Sequence, residues 1–132
     1  MKILVTGGAG FIGGNFCHYI TNKYPNYNII AVDSLTYAGN LETLSPIIKR
    51  ENFKFIKGDI TDRVSILDLF EKESFDIVIN FAAESHVDRS IENPEIFLRT
   101  NILGTQVLMD ASLKYNVKRY HQVSTDEVYG DL

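Results

Sequence analysis

The sequence predicts an α/β fold of the doubly wound class, in which helices cover both faces of a parallel β-sheet. Short apolar runs alternate along the chain with stretches whose apolar residues recur at helical spacing, and no repeat or linker interrupts them. Strands separated by helical crossovers run parallel, and right-handed crossovers place helices on both faces. The 132 residues suffice for one compact domain and are too few for two ordinary ones.

The first three strands are predicted from apolar runs at residues 3–5, 28–33 and 53–57. Between the first two, Ile12, Phe16 and Ile20 recur every four residues, which predicts a helix over 11–23 with this side buried. A loop over 34–40 follows the second strand, and a modest helix is expected after it, ending near Arg50.

The second half of the chain continues the alternation. Asp62 can cap a helix in which Val64, Leu67 and Phe70 share a face. A fourth strand is predicted over 76–80 and a fifth over 118–124, with a helix between them from Asn93-Pro94 to about residue 115. Gly104 inside that helix indicates a close backbone approach.

The segment TGGAGFIG at 6–13 lies between the first strand and the first helix. Missing side chains at Gly7 and Gly10 permit a tight turn and let a pyrophosphate approach the backbone, and Gly13 lets the helix pack closely. The helix N-terminus adds unpaired N–H groups and a partial positive charge. In this context the pattern predicts a dinucleotide site, the alternative being a tight turn without a ligand.

Asp33 identifies the cofactor more closely. It follows Gly13 by twenty residues, at the end of the second strand, where a ribose hydroxyl would lie. A carboxylate there would repel a 2′-phosphate by ~1–4 kcal/mol, depending on the local dielectric. No Arg or Lys occurs between it and Lys49 to offset that repulsion. We therefore predict a Rossmann-like domain that binds NAD in preference to NADP.

Polar or small residues follow each of the other three strands. Asp59 and Ile60 could contact adenine, although Asp59 could equally be a turn or capping acid. Phe81-Ala82-Ala83 would let the chain run beside the cofactor, or would simply pack in the core. After the fifth strand, Asp126 and Glu127 stand behind Thr125, and one protonated and one ionised carboxyl could perform acid–base chemistry. Spacing alone favours helix capping for this cluster.

Four segments together carry a family resemblance. They are TGGAGFIG, DSLTYAGN at 33–40, AAESHVDRSI at 82–91 and STDEVYGDL at 124–132. In this order they resemble the extended short-chain dehydrogenase/reductase superfamily and, within it, the dTDP-glucose 4,6-dehydratases. The glycine motif is common to the superfamily, whereas the last two segments are sharper. Gly14 stands where a Ser is common in the family.

The resemblance implies the site residues and the chemistry. Thr125 would hydrogen-bond the sugar near C4, Asp126 would protonate the departing C6 hydroxyl, and Glu127 would remove the C5 proton. Ser85 would also touch the substrate, dTDP-glucose. The implied NAD site comprises Gly7, Gly10, Phe11, Ile12, Gly13, Asp33, Ser34, Leu35, Thr36, Asp59, Ile60, Phe81, Ala82, Ala83, Glu84, Ser85 and Thr100. The resemblance also implies a homodimer for the full-length protein.

The superfamily uses a Tyr-x-x-x-Lys pair downstream of the DEVYG segment. We expect none of the seven tyrosines here to supply it, so that residues 1–132 form an incomplete NAD-binding domain that ends after the fifth strand, without the substrate domain. Alone it should bind NAD weakly and have no turnover. The alternatives are another nucleotide-sugar dehydratase, epimerase or decarboxylase, or a catalytically silent NAD-binding module.

Composition restricts the other classes of function. A formal net charge of −4 gives no reason to expect nucleic acid as a partner. The single Cys17 excludes an internal disulfide and is expected to be inert packing or surface, and the three His residues share no metal-ligand pattern with it. No targeting or membrane segment is visible, so a cytoplasmic protein is expected. His86, Asp88 and Arg89 are as readily structural as ligand-binding.

Overall fold

The computed structural model describes residues 1–35, 40–83 and 91–130, without the side chains of Asp126 and Glu127. Its strands are β1 (Lys2–Thr6), β2 (Asn28–Asp33), β3 (Phe53–Lys57), β4 (Ile77–Asn80) and β5 (Arg119–Gln122). Its helices are α1 (Phe11–Lys23), α2 (Arg63–Glu73), α3 (Pro94–Leu98) and α4 (Thr105–Lys114). Single 3₁₀ turns occupy Leu41–Leu44 and Asp126–Tyr129, and a π-helical turn, Arg99–Gly104, joins α3 to α4.

The strands form one parallel sheet in the order β3-β2-β1-β4-β5, which confirms the predicted doubly wound class. The chain builds outward from β1 to β3 and then returns to place β4 on the other side of β1. The order therefore reverses between β1 and β4. In open α/β sheets ligands bind outside the carboxyl ends of the strands at such a switch point.

Alternate residues of the central strands enter two separate cores. Leu4 and Val78 pack with Phe70 of α2 and Leu108 of α4 on one face. Ile3 and Val5 pack with Cys17 and Ile20 of α1 on the other face, together with Leu44 and Ile47. This three-layer arrangement buries β1 from Ile3 onward and fixes where its last residue, Thr6, meets the following turn.

The predicted buried faces of two helices are partly wrong. Ile12 is 65% exposed, and α1 instead packs through Gly13, Gly14, Cys17, Ile20 and Thr21. Val64 is 71% exposed, and α2 buries Ile66 and Phe70 while Leu67 lies half-buried. Both exposed residues occupy the second position of their helices. At the carboxyl edge of the sheet the first helical turn extends past the core, so an apolar side chain there has no layer to pack against.

Three predicted elements also differ in extent. The helix expected to end near Arg50 is only the 3₁₀ turn Leu41–Leu44 followed by further turns. The helix expected from Asn93 to about residue 115 is divided by the π-helical turn, and the fifth strand is shorter than predicted. The close approach at Gly104 is confirmed, because a Cβ there would lie 2.5 Å from Cδ1 of Ile60.

The capping role predicted for Asp62 is confirmed: its carboxylate accepts hydrogen bonds from the amide of Ser65 at 3.3 Å and from the Ser65 hydroxyl at 2.8 Å. Within the described ranges, no helix is long and apolar enough to cross a membrane.

Candidate functional site

The turn between β1 and α1 takes its shape from its glycines. Gly7 has φ +71°, and a Cβ on it would lie 2.6 Å from the amide nitrogen of Ala82. A Cβ on Gly13 would lie 2.2 Å from the carbonyl oxygen of Gly7. Gly13 is thus needed because α1 begins against the turn itself, a closer neighbour than the sheet that the sequence suggested. Only residues without side chains permit both contacts.

This turn leaves the first amides of α1 without partners in the helix. The first helical hydrogen bond runs from Gly14 N–H to Gly10 O at 2.8 Å, so the amides of Phe11, Ile12 and Gly13 precede it. The N-cap, Gly10, supplies no side-chain acceptor, and the first turn contains no acid. The side chains of Phe11 and Ile12 are exposed, and the backbone amides of these two residues are the donors that the helix end offers to an anion.

Asp33 lies beside this turn with its carboxylate held by two amides. Oδ2 accepts from the N–H of Ala9 at 3.0 Å, and Oδ1 accepts from the N–H of Leu35 at 2.8 Å. Leu35 adopts φ +57°, an unusual conformation for a residue other than glycine, and its side chain packs below the turn. Each carboxylate oxygen retains acceptor capacity for a further donor.

A cleft of about 320 Å³ opens between the turn and the last helices, within the size range of small-molecule sites. It is not filled by side chains of the described residues. The predicted residues that line it are Gly7, Gly10, Asp33, Ser34, Asp59, Ile60, Phe81, Ala82, Ala83 and Thr100. Phe11, Ile12, Gly13 and Leu35 are absent from the wall, the first three lying at the start of α1. Thr36, Glu84 and Ser85 fall outside the described residues, as do His86, Asp88 and Arg89.

Asp59 takes the turn role that the sequence left open. Its Oδ1 accepts from the amide of Thr61 at 2.9 Å and from the Thr61 hydroxyl at 2.8 Å. Asp59 nevertheless remains part of the cleft wall, so an adenine contact stays a prediction.

The sequence reasoning missed five cleft residues, namely Val32, Gly58, Thr61, Ile96 and Arg99. Arg99 brings a guanidinium to a cleft whose other charged lining residues, in the described part of the chain, are Asp33 and Asp59. It reaches this position because the π-helical turn begins at Arg99. Helical periodicity contains no signal for such an irregularity.

The sequence reasoning also missed a row of hydrogen-bonded polar side chains across three strand ends, of which Thr6 and Asn80 are buried and Gln122 is exposed. Asn80 accepts from the Thr6 hydroxyl at 2.6 Å and donates to Gln122 Oε1 at 2.9 Å. Its Oδ1 also accepts from the Ala82 amide at 2.9 Å, which fixes the chain that lines the cleft. Burial raises the pKa of the neighbouring Tyr120 hydroxyl, which donates to Gln122. The sequence did contain a signal for these hydrogen bonds, because Thr6, Asn80 and Gln122 are the polar last residues of three neighbouring strands.

The segment carrying the acid pair follows β5. Val123 N–H donates to Asn80 O at 3.1 Å, and the exposed Thr125 accepts from Val128 N–H at 3.3 Å through its carbonyl. The 3₁₀ turn Asp126–Tyr129 begins directly afterwards. Thr125 lies outside the cleft wall. The roles of Thr125, Asp126 and Glu127 therefore stay predictions.

One Tyr-x-x-x-Lys spacing does occur in the chain, at Tyr19 and Lys23 on α1, and it lies outside the cleft wall. Lys23 Nζ donates to the Tyr19 hydroxyl at 2.7 Å, and this hydrogen bond raises the pKa of the exposed Lys23. Helix α1 starts at the cleft and ends at Lys23, so the pair lies toward the edge of the sheet opposite the cleft. It is a surface pair of helical neighbours.

Among the described residues no group of His, Cys, Asp and Glu could hold a metal ion. The fold and the cleft together define the class of Rossmann-like dinucleotide-binding domains.

The comparisons with known proteins give the family. The sequence model for GDP-mannose 4,6 dehydratase matches residues 4–132. The chain is 49% identical to a dTDP-glucose 4,6-dehydratase of Escherichia coli and 48% identical to a low-salt glycan biosynthesis protein of Haloferax volcanii, over 100% of the chain in both cases. The chain belongs to the GDP-mannose 4,6 dehydratase family, within the extended short-chain dehydrogenase/reductase superfamily.

A solved structure agrees with this assignment. The dTDP-glucose 4,6-dehydratase of Streptomyces venezuelae, with NAD and TYD bound, superposes with a TM-score of 0.91 at 43% identity, covering 100% of this chain and 42% of that one. The chain spans 39% of the E. coli relative and 42% of the H. volcanii relative, about two fifths of their length.

Proposed function

We propose that the whole protein is an NAD-dependent dTDP-glucose 4,6-dehydratase, a lyase that converts dTDP-glucose to dTDP-4-keto-6-deoxyglucose with loss of water. The observation that carries the NAD part is the open cleft that Gly7, Gly10 and Asp33 line together, directly before the first turn of α1. The sugar part is supported by the STDEVYG segment directly after β5 and by relatives that bear this name.

The cleft fits the two halves of an adenosine diphosphate group. Its glycine turn can accept a diphosphate against the amides of Phe11 and Ile12, and Asp33 can accept from ribose hydroxyls. The carboxylate also opposes a 2′-phosphate, so NAD is the preferred cofactor. Bound in this cleft, NAD⁺ would supply a hydride acceptor for C4 of the sugar and, once reduced, a hydride donor for C6.

The chain's own residues would carry the proton transfers between those two events. Oxidation at C4 acidifies the C5 hydrogen, and Glu127 removes it as a proton. Asp126 protonates the departing C6 hydroxyl, so that water leaves and a C5–C6 double bond forms. Glu127 would return its proton to C5, and hydride addition at C6 would complete the product. Thr125 hydrogen-bonds the sugar near C4, and Ser85 touches the substrate.

Glu127→Gln in the whole protein tests this assignment. With dTDP-glucose the variant should reduce bound NAD⁺ in a single turnover but release no 4-keto-6-deoxy product, because the amide cannot accept the C5 proton. Glu51→Gln, which changes an exposed acid on a turn, is the matched control and should behave as wild type. Normal product release by Glu127→Gln would exclude Glu127 as the C5 base.

The 132-residue polypeptide by itself should bind NAD only weakly and should not turn over dTDP-glucose. In this proposal a Tyr-x-x-x-Lys pair and a substrate domain outside residues 1–132 complete the active site. Formation of 4-keto-6-deoxyglucose by the purified polypeptide would contradict this expectation.

A second candidate is a related enzyme with another nucleotide-sugar substrate, and the description of the matching family model, GDP-mannose 4,6 dehydratase, favours keeping it. This second candidate includes a nucleotide-sugar epimerase or decarboxylase. The third candidate is a catalytically silent NAD-binding module. Assaying the whole protein with dTDP-, UDP-, CDP- and GDP-sugars separates these cases. Loss of water from dTDP-glucose alone supports the dehydratase, whereas NAD binding without turnover of any sugar supports the silent module.

We also propose that the whole protein is a homodimer that pairs through α3 and α4. Four apolar side chains spaced four or seven residues apart are exposed here: Leu98 by 57%, Ile102 by 62%, Met109 by 53% and Leu113 by 83%. Such a stripe is typical of a helix that packs against a partner. Ile102→Glu should convert the dimer to a monomer in analytical ultracentrifugation, with Val64→Glu on α2 as the exposed apolar control. An unchanged dimer in Ile102→Glu would exclude this face.

The proposal also includes a cytoplasmic location without nucleic-acid or membrane partners. It places the protein in deoxysugar biosynthesis of the dTDP-rhamnose type. Both parts rest on the absence of a recognisable targeting segment in residues 1–132, the acidic net charge and the proposed product.

A further inference from the structure

One residue of the glycine turn, Ala9, is bonded through both ends of its backbone. Its N–H donates to Asp33 Oδ2 at 3.0 Å. Its carbonyl accepts from the N–H of Asn40 at 3.0 Å and lies 3.3 Å from the hydroxyl of Thr43. Ala9 is 1% exposed, so water cannot readily replace these partners. We call Ala9, Asp33, Asn40 and Thr43 the Ala9 clasp.

Thr43 closes this clasp from outside the cleft. Its hydroxyl lies 2.7 Å from Asn40 O, and its amide donates to the same oxygen at 3.1 Å. A hydroxyl has one proton, so the shorter contact to Asn40 O receives most of it and Ala9 O shares the remainder. The Thr43 carbonyl contacts a ring nitrogen of His18 on α1, which ties the same turn to the helix.

The clasp determines the orientation of the Asp33 carboxylate. Ala9 holds one oxygen and Leu35 the other, so the plane of the group follows these two amides. A shift of Asn40 would move the Ala9 peptide and with it the carboxylate. The same peptide belongs to the turn that precedes the free amides of α1. The clasp thus keeps a ribose-binding acid and a diphosphate-binding turn in one fixed relation.

We propose that Thr43 is a positioning residue for the cofactor, acting through Asn40 and Ala9 on Asp33. This inference rests on the proposed NAD-binding function. None of the sequence patterns pointed to Thr43, because it lies ten residues beyond Asp33 in a segment that the sequence predicted as an ordinary helix. Only the return of the 3₁₀ turn to the glycine turn reveals the contact.

Thr43→Val in the whole protein removes the hydroxyl and keeps the shape of the side chain. Loss of one partly exposed hydrogen bond should raise the dissociation constant of NAD about fivefold, since such a bond contributes ~1 kcal/mol. Thr43→Ser should restore binding to within about twofold by returning the same donor. Ser45→Ala, on the same exposed turn, is the matched control and should leave binding unchanged.

Two further measurements separate positioning from general destabilisation. Hydrogen exchange at the Ala9 amide should accelerate in Thr43→Val, because its bond to Asp33 loosens, while amides of β4 keep their wild-type rates. In an Asp33→Ala background, Thr43→Val should weaken NAD binding no further, because the two residues act in series.

Each outcome decides the matter. If the wild-type protein binds no NAD, the proposed function fails and the positioning role fails with it, whatever the Ala9 exchange rate. If the wild-type protein binds NAD and Thr43→Val binds it equally well, only the positioning role is overturned. The same holds if Thr43→Val weakens NAD binding by the same factor in the Asp33→Ala background as in the wild type. Weaker binding that Thr43→Ser does not restore would also overturn it.

Discussion

Asp33 combines two tasks at the residue scale. Its carboxylate accepts the amides of Ala9 and Leu35, and it also forms part of the cleft wall. These two hydrogen bonds hold the carboxyl group of Asp33 close to the glycine turn. In the proposed complex the acid would accept from ribose hydroxyls, while the first amides of α1 would bind the phosphates. Arg99 adds a positive charge to the same cleft.

Asp33→Ser tests the discrimination between the two dinucleotides. Removing the charge should lower the preference for NAD over NADP by about fivefold or more, because the repulsion of a 2′-phosphate amounts to ~1–4 kcal/mol. Titration of the whole protein with both cofactors measures the ratio, with Glu51→Gln as the charge control. A ratio equal to that of wild type would show that Asp33 does not face the ribose.

Cys17 lies in the core beneath the glycine turn, and burial raises the pKa of its thiol to about 12. At neutral pH it is therefore protonated and shielded, and a thiolate is required for alkylation. We predict that iodoacetamide does not label the native protein and that labelling proceeds at the rate of unfolding. Rapid labelling under native conditions would show that the packing between α1 and the turn opens readily.

The elements that meet at the cleft differ in how tightly the backbone is constrained. A Cβ on Gly13 would strike the backbone of Gly7 at 2.2 Å, whereas a Cβ on Gly10 would lie an ordinary 3.4 Å from the same oxygen. Gly10 is part of the cleft wall, and Gly13 is not. The two glycines of one motif thus serve different purposes, one for the start of the helix and one for access to the ligand.

The matched pair Gly13→Ala and Gly10→Ala separates these purposes. Gly13→Ala should lower the free energy of unfolding by about 1–3 kcal/mol, since the clash is with rigid backbone. Gly10→Ala should leave unfolding nearly unchanged and weaken NAD binding, because its methyl group enters the cleft. Urea unfolding and NAD titration give the two readouts. Equal destabilisation by both substitutions would contradict the distinction.

How far the sequence predicts an element depends on what surrounds it. Strands β2 and β3 agree residue for residue with the prediction. The reason is clear for β2, whose central residues are buried and form a continuous apolar run, whereas β3 is an edge strand in which Lys residues interrupt the apolar ones. Ile12 and Val64 were misplaced because periodicity does not show where a helix extends past the core. The π-helical turn and the return of Leu41–Leu44 to the glycine turn depend on tertiary contacts, so Arg99 and Thr43 could not be inferred. Gly7, Gly10 and Asp33 could be placed at the cleft, because the ends of neighbouring parallel strands meet at the same edge of a sheet.

At the scale of the whole molecule, the reversal of strand order between β1 and β4 creates the cleft, and ion pairs near the opposite edge hold β1 in place. Lys2 Nζ lies 3.1 Å from Glu73 Oε2, and the Lys2 amide donates to Asp76 Oδ2 at 2.8 Å. The hydrogen bond from Lys2 lowers the pKa of Glu73 below its ordinary 4.5, and the Lys2 amide lowers the pKa of Asp76 below 3.8.

These shifts predict the pH dependence of stability. Because both carboxyls have lower pKa values in the folded state, the unfolded chain takes up more protons as the pH falls. Their contribution is complete at neutral pH and declines as the pH falls below their ordinary values of 4.5 and 3.8. Urea unfolding of Glu73→Gln and Asp76→Asn should therefore show a smaller acid loss than wild type or Glu51→Gln. Parallel pH profiles for all four proteins would contradict this account.

A crystal structure of the whole protein with NAD tests the central claim most directly. It should show diphosphate oxygens within hydrogen-bond distance of the amides of Phe11 and Ile12, and adenosine ribose hydroxyls on the Asp33 carboxylate. A dinucleotide bound away from the turn over residues 7–13, or with its ribose remote from Asp33, would contradict the account.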